Sequence, residues 1–310
     1  MKPHLIVNPM SANGRTGRHF DRIAAAVRAA IGDFEAAFTR CRGDGAVLAR
    51  EAVGAGSRLV VAVGGDGTAN EVVDGLAHLA HPDVRFGFIP RGTGGDLKRT
   101  LGTPEDTQRA ARVLSTGREL VCDLGRVEFL DHRGRPAVRH FANVAGCGID
   151  GRVVERVDST SKVLGGRISF QIAAARALLG WTDQRVRWRA DGGGWREEPV
   201  TCIAVCNGRF FGGGMMVAPG ARVDDGLFDV TVWQGLGIKD FVLRKHKLYD
   251  GSHVELPNTR TLRARTVEVE PLGGERVLLD VDGEGPGTLP ARFTILPLAL
   301  RLKVPGAPSG

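Results

Sequence analysis

The run Leu59-Val60-Val61-Ala62-Val63 stops at Gly64-Gly65-Asp66-Gly67-Thr68, and residues 69 to 80 continue with helical spacing. A short apolar run bounded by glycine reads as a buried parallel strand, and a helix after it sets up a strand, turn and helix unit. A glycine turn at a helix start leaves backbone N–H groups free at the positive end of the helix dipole, where phosphate oxygens bind. Glycine also lets phosphate approach where a Cβ would block it. Asp66 is acidic where phosphate is expected, so its chemistry suits a magnesium ion, a water or a ribose hydroxyl. Taken alone, the turn is equally explained as a junction capped by Thr68 or Asp66.

A second junction follows at Gly87-Phe88-Ile89-Pro90-Arg91-Gly92-Thr93-Gly94-Gly95-Asp96, and the first strand, residues 4 to 8, runs into Asn8-Pro9-Met10-Ser11-Ala12-Asn13-Gly14-Arg15. Neighbouring parallel strands open their C-terminal loops into one crevice, so three loops are expected to converge there. Further strands are predicted at 34–39, 58–63 and 85–89, with helices at 18–31, 45–55, 69–80 and 104–116. From about Glu119 the period changes. Strands are predicted at 120–129, 139–145, 184–189, 200–207, 228–233, 266–270 and 277–281, interrupted by helices at 166–180 and 237–248. The switch places a boundary near residues 117 to 123, giving domains over 1–120 and 121–310, with the last 14 or so residues packing back on the first.

The 310-residue length and 42% hydrophobic content suit two globular domains. No apolar stretch approaches the roughly 18 to 20 residues that span a bilayer, and the N-terminal run is too short for a signal peptide. Cys41, Cys122, Cys147, Cys202 and Cys206 form no CxxC pair, which argues against a disulfide framework or zinc module and suits a reducing cytoplasm, and Cys202 and Cys206, four apart on one strand face, read as small core residues. The net charge of +7 suits an anionic surface or substrate. Without zinc-finger spacing or an aromatic RNA-recognition signature, nucleic acid is not expected as a partner.

Asn8-Pro9 with Ser11 and Gly14, the GGDGT loop with Asn70-Glu71, and PRGTGGD together resemble the diacylglycerol kinase catalytic-domain family, which includes sphingosine and ceramide kinases. Val223-Asp224-Asp225-Gly226-Leu227-Phe228-Asp229-Val230 and Asp280-Val281-Asp282-Gly283-Glu284 resemble two motifs of its second domain. The resemblance implies an α/β + β fold, with an open Rossmann-like α/β domain of the NAD kinase and diacylglycerol kinase type followed by a β-sandwich. It also implies an ATP-dependent lipid kinase, acting on diacylglycerol, a sphingoid base or phosphatidylglycerol. ATP would be contacted by Asn8, Thr39, Gly64, Gly65, Asp66, Gly67, Thr68, Ala69, Asn70, Glu71 and Thr93. Glu284 would be the general base, and Asp225 with the carbonyls of Arg222 and Leu227 would hold a structural Mg2+. Many family members carry Asn where this chain has Gly95.

The lipid substrate is expected to enter between the domains at an anionic membrane surface, with the protein cytoplasmic or peripheral on the inner face. The segment 238–248 mixes apolar residues with a basic cluster and reads either as a helix packed on the sandwich or as one lying on an anionic bilayer. Residues 163 to 181 carry Ile168, Ile172, Ala175 and Leu179 at helical spacing, and read as a core helix or a lipid-tunnel wall. Asp282 is open between a metal ligand and a partner of Glu284. Two other readings share the glycine loop: an NAD kinase, and a non-catalytic ATP or lipid sensor.

Overall fold

A computed structural model of the protein describes residues 2–79, 81–92, 94–159 and 166–306. Thr93 and residues 163–165 lie outside these, as does the side chain of Ile168. The chain divides into two compact units, 1–123 with 298–310, and 124–297.

The first unit runs β1 (His4–Val7), α1 (Arg15–Arg18), α2 (Phe20–Ile31), β2 (Glu35–Phe38), α3 (Asp44–Gly54), β3 (Leu59–Gly64), α4 (Asp66–Leu79), β4 (Arg85–Pro90), α5 (Asp96–Leu101) and α6 (Thr107–Thr116). It closes with the start of β5 (Arg118–Asp131). Its sheet has the order β2-β1-β3-β4, all parallel, so the chain reverses direction across the sheet between β1 and β3. The strands read as apolar runs because helices cover both faces. Leu5, Val7, Val61, Val63 and Ile89 pack against Ile23 and Val27 of α2 and Ala110 and Leu114 of α6. On α3 and α4, Gly45 and Gly75 allow a close crossing: a Cβ on Gly75 would lie 2.8 Å from Ala46 Cα.

The predicted elements of this unit recur with shifted ends. The helix expected from residue 69 starts at Asp66, so the turn itself is helical from its third residue. The one expected from Pro104 starts at Thr107, where the Asp106 carboxylate accepts from Arg109 N–H at 2.9 Å. That cap holds the start more firmly than the proline.

The second unit follows with β6 (Pro136–Phe141), β7 (Val144–Gly148), α7 (Ile149–Ser159), α8 (Gly166–Leu178), β8 (Gln184–Ala190), β9 (Arg196–Val200) and β10 (Cys202–Cys206). Then come β11 (Phe210–Phe211), β12 (Met215–Met216), β13 (Phe228–Trp233), α9 (Ile238–Asp250), β14 (Thr259–Ala264), β15 (Thr266–Pro271), β16 (Leu279–Val281) and β17 (Gly287–Val304), whose residues from 298 on belong to the first unit. One antiparallel sheet is ordered β14-β13-β10-β7-β16. The other contains β17-β15-β8-β9, with β5 joining β17 and β6.

The inner faces of the two sheets meet in a core containing Phe141, Trp188, Phe228 and Phe293, the packing of a sandwich. β10 is buried on both faces. Ile203 and Val205 enter that core, while Cys202, Ala204 and Cys206 face Val217, Ala218 and Trp233 on the other side. Cys202 and Cys206 are buried, as expected of small core residues; Cys122 and Cys147 are buried too, Cys41 is exposed, and all five are free thiols. The single strand expected over 139–145 is broken into β6 and β7, because the Asp282 carboxylate takes the N–H groups of residues 142 to 144. Helix α7 and strands β9, β14 and β17 have no counterpart among the predicted elements.

Gly125 on β5 sits under the ring of Phe141, and a Cβ there would fall inside the ring's van der Waals envelope. Overpacking of this kind costs about 1–3 kcal/mol. Gly125→Ala should lower unfolding stability by that amount in chemical denaturation, whereas unchanged stability would show that Phe141 has room to move.

Candidate functional site

The first unit's four parallel strands end in step. Asn8 N–H donates to Val63 O at 3.0 Å, Thr39 N–H to Val7 O at 2.9 Å, and Arg91 N–H to Gly64 O at 2.6 Å. The loops after β1, β2, β3 and β4 therefore leave from one edge, and the reversal between β1 and β3 is where ligands settle in open α/β sheets. Asn8 spans that reversal: its Nδ2 donates to Thr68 Oγ1 at 3.1 Å, and its Oδ1 accepts from Met10 N–H at 2.9 Å.

The two glycine loops are bound to each other. Asp66 Oδ2 accepts from Gly95 N–H at 2.6 Å and Asp96 N–H at 3.1 Å. Gly65 and Gly92 touch through their backbones, and a Cβ on Gly92 would lie 2.5 Å from Gly65 Cα. Gly95 has φ +75°, the left-handed conformation that glycine and asparagine both reach. Its role as a donor to Asp66 is a backbone role, which an asparagine there would also fill.

Glu71, buried on α4, accepts from Gly43 N–H at 2.7 Å and Gly45 N–H at 2.9 Å. Its carboxylate thus fixes the loop between β2 and α3. Asp66 and Glu71, read from sequence as ligand contacts, spend these oxygens on backbone. Asp66 Oδ1 and both amide atoms of Asn70 are buried with no hydrogen-bond partner. The unpartnered Asn70 amide beside a glycine-rich turn at the start of a 14-residue helix suits a phosphate-bearing nucleotide, and the free Asp66 oxygen suits a metal ion, a water or a ribose hydroxyl.

In the second unit, Asp282 and Gly283 have φ of 49° and 85°. Val281 and Glu284 exchange backbone hydrogen bonds at 2.8 and 3.0 Å, which makes a tight hairpin of the kind Asp-Gly favours. Asp282 takes the N–H groups of Ala142, Asn143 and Val144 at 2.8–3.1 Å, so it anchors the turn. Asp280 accepts from Gly283 N–H at 2.7 Å. Glu284, directly after the turn, is ion-paired with Arg139 and mostly buried. Arg139 is absent from the sequence reading: it lies 145 positions away and belongs to no motif.

Asp150 is absent from it too. Its only sequence signal is the small-residue run Gly146-Cys147-Gly148 before it, which leaves room for the carboxyl: a Cβ on Gly146 would collide with Asp150 Oδ2. Burial pushes Asp150 up to about 7, while the Gly151 N–H and the Cys202 thiol bond to its carboxyl. Asp280 is raised well above the ordinary carboxylate range too, first by burial and then by the charge of Asp150. Asp150 and Cys202 line an apolar cavity of about 100 Å³ together with Val153, Leu178, Trp233 and Phe241. An apolar cavity of about 150 Å³ admits benzene, so this one accepts a few methylenes.

Asp225 Oδ1 accepts from Leu227 N–H at 3.2 Å, and Oδ2 is paired with Arg263. Arg263 also lies 3.6 Å from Asp229, whose Oδ2 is buried without a hydrogen-bond donor. Burial raises the Asp229 carboxyl despite that guanidinium. Two carboxylates sharing one cation leave negative charge to neutralise, and carboxylate with carbonyl oxygens suits a hard ion such as Mg2+. By chemistry the Asp225 carboxylate with the carbonyls of Arg222 and Leu227 suits such an ion, and Arg263 competes for that carboxylate.

The raised carboxyl of Asp150 has a pH consequence. Between the ordinary value near 4 and about 7 the folded state holds a proton that the unfolded chain has released, so stability falls as pH rises through that window. Asp150→Asn should melt within a degree or two of the parent at pH 5 and several degrees higher at pH 8. Parallel melting curves across that range would contradict the assignment.

Residues 2–127 match the model of the diacylglycerol kinase catalytic domain, and residues 143–304 that of the YegS C-terminal NAD kinase beta sandwich-like domain. A diacylglycerol kinase of Mycobacterium tuberculosis is 33% identical over 262 residues, covering 83% of this chain and 80% of that protein. One from Bacillus subtilis is 29% identical over 296 residues, covering 95% and 93%. The crystal structure of a diacylglycerol kinase from Bacillus anthracis superposes with a TM-score of 0.72 at 24% identity, covering 99% of this chain and 97% of that one, which shows the fold. Both domain models together span nearly the whole sequence, and the chain belongs to the diacylglycerol kinase catalytic-domain family.

Proposed function

We propose that this protein is an ATP-dependent lipid kinase that phosphorylates a hydroxyl of diacylglycerol or a related lipid. The observation that carries the kinase reading is the pair of glycine loops held together by Asp66 at the sheet reversal, with the buried Asn70 amide unpartnered beside them. The apolar cavity in the second unit supports a lipid acceptor.

In this reading Gly64 through Asn70, with Thr39 and Thr93, meet ATP through backbone and side-chain donors. Asn8 and Glu71 hold the flanking loops in position. Phosphoryl transfer has a loose transition state, so alignment and charge neutralisation do most of the work. The lipid hydroxyl oxygen forms a bond to the γ-phosphorus as the bond to the β-phosphate oxygen breaks and ADP leaves. Glu284 accepts the hydroxyl proton, and Arg139, ion-paired with it, orients its carboxylate. Magnesium bound with ATP would offset the charge of the phosphates. A second Mg2+ at Arg222, Asp225 and Leu227 would be structural, neutralising the surplus of carboxylates around Arg263.

Proton removal by a positioned base typically contributes about 10²- to 10⁴-fold. Glu284→Gln should therefore lose at least about 10²-fold in kcat while binding ATP as the parent does; full turnover would remove Glu284 from the mechanism. Incubation with labelled ATP, magnesium and separate pools of diacylglycerol, sphingoid base, phosphatidylglycerol and NAD tests the function itself. Label should appear in a lipid product. Label on NAD, or in no product, would overturn the reading.

A further inference from the structure

Helix α9 packs in the second unit by one side only, and none of its thirteen residues is fully buried. Asp240, Phe241, Arg244 and Leu248 line the apolar cavity, clustered on one side of a wheel with about 100° per residue. The opposite side carries Val242 and Leu243, which are 59% and 73% exposed, with Lys239 between them. Lys245 and Lys247 flank this outward face on either side.

The cavity's second wall repeats the pattern. Ala174 and Leu178 of α8 line the cavity, while Ile172 on the same helix and Leu179 just after it are 37% and 62% exposed. Of the ten large hydrophobic side chains exposed among the described residues, four belong to these two short stretches. Scattered apolar residues on a surface need no explanation, but a cluster outside the walls of one apolar cavity does.

The charges select the partner. Arg244 is satisfied within the helix by Asp240, at 3.3 Å. Among the described residues neither Lys239 nor Lys245 has a carboxylate within ion-pair distance, and Asp250 is turned to Ser252 N–H at 2.8 Å. The outward face therefore pairs exposed hydrocarbon with unmatched lysines, whose stems can lie along apolar chains while their ammonium groups reach phosphate.

We infer that α9 seats the second unit on an anionic lipid bilayer, with Val242 and Leu243 in the headgroup layer and Lys239, Lys245 and Lys247 against lipid phosphates. The choice of a bilayer rests on the lipid-kinase reading, because the helix that touches the surface also walls the cavity assigned to lipid. A chain leaving the bilayer at α9 needs to pass only that wall.

Co-sedimentation with phosphatidylcholine vesicles, and with vesicles in which about a third of the lipid is phosphatidylglycerol, tests this without turnover. The full chain should bind the anionic vesicles at least about tenfold more tightly, since each basic residue at such a surface is worth about fivefold. Val242→Asp with Leu243→Asp should abolish binding, and Lys239→Gln with Lys245→Gln should weaken it at least about tenfold. Both variants should keep the parent's melting temperature and its turnover on dioctanoylglycerol in detergent micelles. Leu243→Trp offers a readout independent of these losses: the emission of the introduced indole should shift to the blue on anionic vesicles alone.

Absent vesicle binding by the parent, variants that bind like the parent, or an unshifted emission from the Leu243→Trp variant would each overturn the docking surface. So would concentration-dependent dimerisation abolished by the Val242 and Leu243 changes, which would make the face a contact between copies. Vesicle binding without phosphorylation of any lipid would sink the kinase reading and leave the docking surface standing, and micellar turnover without vesicle binding would do the reverse.

Discussion

Two backbone amides, of Gly95 and Asp96, converge on one carboxylate oxygen of Asp66. Hydrogen bonds to a charged acceptor are stronger than neutral ones, about 1.5–3 kcal/mol each. The pair closes the loop after β4 onto the loop after β3, and the backbones then touch at Gly65 and Gly92. Asn8 ties the loop after β1 to the same helix through Thr68, and Glu71 ties in the loop after β2. Each of these side chains serves the loops themselves, and the turn they hold is rich in glycine, at Gly64, Gly65 and Gly67. If nucleotide binds here, as proposed, the loops are tied before it arrives, and little of the binding energy goes into ordering them.

The second unit uses carboxylates in the same manner. Asp282 gathers three N–H groups of the segment between β6 and β7, and Asp280 gathers that of Gly283. Glu284 is thereby set on a stiff turn beside Arg139. The cost is a concentration of acids, with Asp150 and Asp280 both buried and both displaced upward. Buried carboxyls that hold a proton near neutral pH are common where chemistry is done. Here Asp150 also lines the apolar cavity, as do Thr201, Asp240, Arg244 and His253.

The α/β unit was legible because its signals are local: an apolar run, a glycine turn, a helical period. The sandwich was legible only in its buried strands. β14 shows mostly partly exposed and exposed residues, so it has no clean alternation. β17 contains Pro290 and Pro297, which argue against a strand when read alone, yet it runs for 18 residues and pairs with both β15 and β5. Helix α7 starts directly from β7 after Gly148, whose φ of +114° makes the turn, whereas the sequence reading ended the strand at 145 and assigned no element to residues 149–159. In the site, residue types were readable but partners were not. Asp66 and Glu71 belong to the glycine-loop motif, and only the fold shows that they hold backbone. Arg139 and Asp150 carry no motif, and they emerge once β6, β7 and β16 are brought together.

The claim that Asp66 preassembles a nucleotide cradle is tested most directly by isothermal titration of ATP into Asp66→Ala. Losing both backbone hydrogen bonds should weaken ATP binding by at least about tenfold while the melting temperature stays within a few degrees of the parent. An unchanged dissociation constant would contradict the claim, because the two loops would then hold nucleotide without being tied.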